Sequence, residues 1–388
     1  MATNKLTTNA DVKGLTIPVK GNKIYYDNKV PGFGCRVTAA GDRAFVLNYR
    51  RRSDGLERRY TIGSFPDWTP TAAREKAKEL KRDIDAGGDP VGKIETERAA
   101  PTFSDLCDRF IAEYLPRKRP STQHAYRLQI DNLIRPALGR MKVAGISFSD
   151  IDKLHREITA NGTPIHANRI LSLVSRMLAM AVRWKMRGDN PCRGIERNTE
   201  SKRRRYLSKD ELARLTQVLA EYQDQQVADI VRLLLLTGAR RGEVLTAKWE
   251  QFDLDGGIWT KPGSTTKQKT DHIVPLSAPA LELLSKLRRK RSGDYLFPGR
   301  LGPHCLDIKN SWKVICREAD ISGLRVHDLR HAFASFLVSD GVSLPIIGQL
   351  LGHTQAATTM RYAHLADDPL RKATERVERL YVVHGGRR

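Results

Sequence analysis

Apolar positions along the chain change their period twice, and the changes divide it into three stretches. Over residues 1 to about 95, two short strand-like runs, Ala44 to Arg50 and Arg58 to Gly63, are joined through Ser53-Asp54-Gly55 and predict a β-hairpin. Thr69-Pro70-Thr71 then opens a helix over Ala72 to Ala86, which Gly87-Gly88-Asp89-Pro90 stops. Val91 to Ala100 is charged and poor in large apolar residues, the composition of a linker. At Thr102-Phe103-Ser104-Asp105, which resembles a capping box, the period becomes helical, with Leu106, Phe110, Ile111, Tyr114 and Leu115 behind it. Further helical patterns cover about 121 to 135, 149 to 159 and 164 to 187, so a four-helix bundle is expected, ending at Asn190-Pro191. Arg193 to Arg205 is a polar connector containing Lys202-Arg203-Arg204-Arg205, which can lie on phosphates or simply be solvated. Ser208-Lys209-Asp210-Glu211 is a full capping box, and it opens a third, mostly helical stretch with one hairpin near 257 to 276.

The fold class expected is therefore multidomain and mainly α with small β elements. An α+β module occupies residues 1 to 95, a helical domain 101 to 190, and a mixed, mainly α domain 203 to 388. A chain of 388 residues is long enough for two to three such cores.

Charge narrows the partner. With 67 Lys and Arg against 44 Asp and Glu the net charge is +23, far beyond what solubility needs, and a polyanion is the natural complement. The basic residues are spread along the chain rather than gathered on one amphipathic helix, which favours nucleic acid over a membrane surface. No apolar run approaches the ~20 residues of a membrane span, and the polar start lacks the apolar centre of a signal peptide, so a cytoplasmic protein is expected. The five cysteines are widely spaced with no C-x-x-C pair, which argues against zinc or a redox motif.

Chemistry concentrates late in the chain. His327-Asp328-Leu329-Arg330-His331 is followed by Leu351-Gly352-His353-Thr354 and by Arg361-Tyr362-Ala363-His364. Upstream stand Thr237-Gly238-Ala239-Arg240-Arg241-Gly242-Glu243 and Lys267, eight positions before Pro275. A phosphodiester gathers negative charge when attacked, so fixed positive charge must meet it, from metals or from arginines. Asp and Glu show no metal-ligand clustering, whereas Arg240 and Arg330 lie inside the two strongest motifs, and no cofactor is expected. His327 and Arg330 are one helical turn apart and can face one phosphate. A tyrosine attacking at neutral pH needs both a base and a cationic setting, because its pKa is near ~10.

These motifs resemble the active site of the tyrosine recombinases of the phage-integrase family. The spacing carries the likeness, since His353 stands 23 positions after Arg330 and Tyr362 nine after His353. The resemblance implies Arg240 and Arg330 as the charge on the phosphate, His327 as acceptor of the tyrosine proton and His353 as donor to a non-bridging oxygen. Tyr362 would be the nucleophile and Lys267, rather than its neighbours Lys269 and Lys261, the general acid. His331 and His364 are expected to be packing or DNA-backbone contacts, and Glu243 a structural ion-pair partner. The product of cleavage would be a 3′-phosphotyrosyl bond, later reversed by a partner strand without ATP or metal.

The first stretch resembles the arm-type DNA-binding domain of such integrases and the second their core-site domain. Arg50, Arg51, Arg52, Arg58 and Arg59 on the hairpin suit a DNA groove, or equally a solvated strand edge. Partners implied are double-stranded DNA at core and arm-type attachment sites, three further copies in a homo-tetramer on DNA, and DNA-bending and excision factors. Leu370 to Val383 is expected to pack on a neighbouring copy, and the protein is expected in a bacterial cytoplasm, nucleoid-associated when on DNA. Two alternatives stay open: a type IB topoisomerase-like DNA relaxation activity, against which the arm-like module argues, and a catalytically inactive regulator or architectural protein, against which the presence of all six residues argues.

Overall fold

The structure is a computed structural model that describes residues 6–201, 205–263, 270–290 and 293–365. It separates into two compact units, residues 1–201 and 202–388.

The first unit begins with a short helix α1 (Asn9–Lys13) and a four-stranded antiparallel sheet, β1 (Asn22–Tyr26), β2 (Phe33–Thr38), β3 (Arg43–Arg50) and β4 (Glu57–Ser64), paired in chain order. The predicted hairpin is β3 and β4. The sequence pattern did not single out β1 and β2, because β1 carries Asn22, Lys23 and two half-buried tyrosines instead of an apolar alternation. Helix α2 (Pro70–Asp85) lays Ala73, Ala77, Leu80 and Ile84 on Phe33, Cys35, Phe45 and Leu47 of the sheet. Its Arg74 reaches Asp27 through two bonds of 2.9 and 3.0 Å, a buried bidentate pair that fixes the helix to the turn after β1.

The expected linker is instead a helix, α3 (Pro90–Ala99). Proline at its first turn and good helix formers behind it favour that state, and ion pairs substitute for an apolar stripe. Glu95 bonds Arg58 at 2.6 Å and Lys93 bonds Asp83 at 3.0 Å.

Five helices follow. They are α4 (Phe103–Arg109), α5 (Pro120–Gln129), α6 (Arg135–Leu138), α7 (Phe148–Ala160) and α8 (Pro164–Arg183), with π-helical turns at Phe110–Tyr114 and Ile130–Ile134. The two predicted helices at the start of the bundle thus run on through π turns, and Phe103, Phe110, Ile151, Val174 and Met177 share one core. The connector is anchored where it leaves the bundle: Cys192 and Ile195 are buried, and Asn198 donates to Thr159 at 2.8 Å and accepts at its carbonyl from Asn168 at 2.8 Å. Lys202, Arg203 and Arg204 lie outside the described residues.

In the second unit, α9 (Lys209–Glu221) starts at the predicted capping box. Helix α10 (Gln225–Thr237) is buried around most of its circumference and forms the centre, as its run of Leu233 to Leu236 foreshadows. After α11 (Arg241–Leu245) comes a small antiparallel sheet of β5 (Phe252–Asp253), β6 (Ile258–Lys261) and β7 (His272–Pro275). Helices α12 (Ala278–Arg289), α13 (Lys309–Glu318), α14 (Asp328–Ser339), α15 (Leu344–Leu351) and α16 (Ala356–Thr359) complete it, with a 3-10 turn at Met360–Leu365. Among the described residues no helix is long and apolar enough to cross a membrane, and no group of His, Cys, Asp and Glu could hold a metal ion.

Candidate active site

Two left-handed glycines build the frame. Gly238 ends α10 at φ 59°, and a Cβ there would stand 2.4 Å from Phe333 and 3.0 Å from Leu351, so only glycine lets this turn close on α14 and α15. Gly352 ends α15 at φ 65°, under the ring of His272, whose Nε2 donates to the Gln349 carbonyl at 2.8 Å. Strand β7 is thereby held to the turn that carries His353.

Between these two turns lies Arg330, 4% exposed. Its guanidinium donates to the Gly238 carbonyl at 2.9 Å and to the Leu351 carbonyl at 2.5 Å, a planar fork across two chain segments. Arg240 stands at the start of α11. Its Nη1 donates to Glu243 Oε1 at 2.7 Å, while its backbone N–H donates to Glu243 Oε2 at 3.1 Å. Glu243 is a structural ion-pair partner as expected, and it has a second one: Lys261 Nζ donates to Oε2 at 3.0 Å from beneath, with its ammonium 4.3 Å from the Trp259 ring centroid.

Arg240, Arg330 and Lys261 thus gather around one bonded carboxylate, and the excess of positive charge marks every titrating neighbour. Burial pushes Glu243 up, but Lys261 and Arg240 outweigh it and hold the carboxyl at about 2. Burial, with Arg330 and Arg240, drives Lys261 down to about 8 against the pull of Glu243. Burial and Arg240 push Arg330 down to about 10, still charged at neutral pH. His353 falls to about 4 through burial and the same arginines. A site with this surplus is prepared for an anion.

Tyr362 lies in the 3-10 turn, 1% exposed, packed with Ala334, Val338, Ile347 and Leu351 and edge-on to Tyr206 at 6.5 Å. Burial pushes its phenol up, while Arg361 and Arg330 pull against that. The hydroxyl is 2.5 Å from Nδ1 of His331. His327, expected to accept the tyrosine proton, lies edge-on to His331 with ring centroids 5.2 Å apart. His331, expected as a packing or DNA-backbone contact, packs against the tyrosine ring at 5.8 Å and also meets its hydroxyl, which the motif did not indicate. Positions 327, 330 and 331 share a face of the helix. His353 Nδ1 lies 2.9 Å from Thr359 Oγ1, which ties it to the turn holding the tyrosine.

Five of the six expected residues, Arg240, His327, Arg330, His353 and Tyr362, thus lie in the second unit around these turns. Lys267, Lys269 and the segment Leu370 to Val383 lie outside the described residues. Lys261 was weighed only as a neighbour of Lys267; the signal for its burial is its period-two relation to Trp259, which puts both on the covered face of β6. His364 lies 6.1 Å from the Tyr206 ring, a packing contact.

Comparison with known proteins gives a match to the family described as "Phage integrase family" over residues 205–368, to "Arm DNA-binding domain" over 4–97 and to "Phage integrase, N-terminal SAM-like domain" over 102–158. The integrase of Enterobacteria phage P4 is 30% identical over 292 residues, covering 69% of this chain and 66% of that protein. Tyrosine recombinase XerD of Vibrio cholerae is 27% identical over 285 residues, 68% of this chain and 90% of that one. Among solved structures, a lambda integrase dimer bound to a COC′ core site superimposes with a TM-score of 0.60 at 21% identity, covering 89% of this chain and 97% of that chain, a likeness of fold.

Proposed function

The chain belongs to the phage integrase family and is a tyrosine site-specific recombinase, and we propose that it breaks DNA through Tyr362. The observation that carries this reading is the set of Arg240, Arg330 and Lys261 gathered about the single carboxylate of Glu243, with positive charge left over once it is paired, next to a buried tyrosine on which Arg330 and Arg361 act. The non-bridging oxygens of a scissile phosphate would take up that charge from Arg240 and Arg330, and His353, neutral and held by Thr359, would donate to one of them. The phosphorus is attacked by the Tyr362 oxygen and the 5′-oxygen leaves with a proton, for which Lys267 is the proposed donor. A 3′-phosphotyrosyl bond stores the energy of the phosphodiester, so a second 5′-hydroxyl can reverse the step without ATP.

Residues 1 to 95 would read arm-type sites, 101 to 190 would grip the core duplex and 203 to 388 would carry the chemistry. Four copies on two DNA sites, with Leu370 to Val383 packing between copies, would perform integration or excision with DNA-bending and excision factors, in a bacterial cytoplasm on the nucleoid. Neither alternative, DNA relaxation by a topoisomerase or regulation by an inactive protein, draws support from the relatives, which are named integrases and tyrosine recombinases.

The test is covalent. Wild-type protein with a nicked duplex carrying the element's own crossover sequence should give an adduct that survives denaturing electrophoresis, in the presence of EDTA, because arginines supply the charge. Tyr362→Phe should bind that duplex as wild type does and give no adduct. A persistent adduct in the variant would assign the nucleophile elsewhere.

A further inference from the structure

We propose that His331, and not His327, is the group that takes the proton from Tyr362 as it attacks. The inference rests on the reading of Tyr362 as nucleophile and adds a catalytic residue to it.

The geometry leaves His331 as the base in contact. A general base must lie within hydrogen-bond reach of the proton it removes, and Nδ1 of His331 is 2.5 Å from the phenol oxygen. His327 touches His331 by the edge of its ring, and the Nδ1 of His353 is occupied by Thr359. The phenol is otherwise packed against apolar side chains and Tyr206, with the Arg361 guanidinium 5.8 Å from its ring centroid, and burial outweighs the pull of Arg361 and Arg330, so the surroundings oppose an unassisted phenolate. A shared proton with His331 is the route this packing leaves open.

Charge around His331 sets its state. Burial lowers it first, then Arg361 from the 3-10 turn and His327 on its own helix, with Asp328 opposing and Arg330 adding, to about 4. His353 from the turn after α15 also faces it, and Tyr362 closes the contact. The imidazole is therefore neutral at pH 7, with the Tyr362 hydroxyl donating to Nδ1 and the Nε2 carrying its hydrogen. Such a base is weak chiefly because it is buried, and the cations beside it weaken it further. A phosphodiester seated on Arg240 and Arg330 would bring negative charge beside it and offset the part that Arg330 contributes, so basicity rises somewhat when substrate arrives.

The step balances. As the Tyr362 oxygen bonds to phosphorus, its O–H bond breaks and the proton passes to Nδ1 of His331. The bond from phosphorus to the 5′-oxygen breaks, its electron pair stays on that oxygen, and the general acid protonates it. Religation returns the His331 proton to the tyrosine.

Asparagine places an oxygen near the position of Nδ1 but cannot accept a proton at neutral pH, so His331→Asn keeps the hydrogen bond and loses the base. With full-length protein and the same nicked duplex, single-turnover adduct formation in His331→Asn should fall by about 10²–10³-fold at pH 7. Its rate should climb with pH between 6 and 9, where wild type is flat, since the proton now goes to solvent. His327→Gln should be slower than wild type with the flat profile kept. His331→Ala should regain rate on adding imidazole, because the position is only half-buried. A wild-type rate and profile in His331→Asn, or the sloping profile in His327→Gln alone, would overturn the proposal while leaving the adduct, and so the nucleophile, intact. A wild-type protein that forms no adduct would overturn both.

Discussion

The N-terminal hairpin and the site around Arg330 carry the same side chain into opposite surroundings. On the hairpin Arg50 pairs with Glu57 at 2.9 Å, Arg51 with Asp54 and Asp89, Arg58 with Glu95 at 2.6 Å, and Arg59 donates to Asn48 at 2.8 Å. At the site, Arg330 is bonded to two carbonyl oxygens and Arg240 shares its carboxylate with Lys261. Carbonyls orient a guanidinium without cancelling its charge. Carboxylates cancel it. Counting arginines along the sequence therefore says where positive charge could act, while the partners say whether it is free to act on a phosphate or must first be released.

Removing the uncancelled charge should have the largest effect. Arg330→Ala should lower single-turnover cleavage by at least about 10²–10³-fold with binding of the core duplex largely kept, because the lost interaction belongs to the transition state. Arg330→Lys should be nearly as poor, since one ammonium cannot span the Gly238 and Leu351 carbonyls. Cleavage by Arg330→Lys near the wild-type rate would show that charge without the planar fork is enough, and the contrast with the hairpin would then be one of position only.

Most of this site was legible because its spacing is set by helices. His327 and Arg330 occupy one turn of α14, and the offsets to His353 and Tyr362 are those of a helix, a glycine turn and a second short turn. What the sequence concealed was contact across segments. His331 meets Tyr362 only because the 3-10 turn folds back on α14, and Lys261 meets Glu243 only because β6 passes beneath α11. The same holds for the fold. The sheet of the first unit was half visible, as β3 holds a buried apolar run and β4 alternates, while β1 is defined by pairing with β2 more than by its own pattern. Helix α3 read as a linker because its stability comes from ion pairs to Arg58 and Asp83, which no periodicity announces.

A smaller loss is expected at Lys261, and it separates charge from proton donation. Lys261→Gln removes the partner that holds Glu243 from beneath, so Arg240 loses a fixed anchor and cleavage should slow by about tenfold to a hundredfold. Replacing the bridging 5′-oxygen by sulfur gives a leaving group that needs no proton. That substrate should restore rate to Lys267→Ala and leave Lys261→Gln and Arg330→Ala slow. Rescue of Lys261→Gln by sulfur would transfer the acid role to Lys261, whose depressed pKa of about 8 would suit it.

The smallest effect tests the hairpin, and its sign is the informative part. If Arg58 is held back by Glu95, and Arg50 by Glu57, then DNA must compete with those carboxylates for the guanidinium groups. Glu95→Gln and Glu57→Gln should then tighten binding of the first unit's duplex a few-fold at low salt, and steepen the salt dependence by about one unit of slope for each arginine released. The Arg50–Glu57 pair is on the surface, where such bonds are screened and easily exchanged, so Glu57→Gln should cost the fold little. Arg58 is mostly buried and its bond to Glu95 helps to hold α3, so Glu95→Gln should also loosen that helix. The same change at the site, Glu243→Gln, should do the reverse, because Glu243 there positions Arg240 instead of silencing it, and cleavage should fall. Weaker duplex binding in the hairpin variants would mean that the ion pairs shape the ribbon for DNA, and that paired arginines on this surface are already arranged for use.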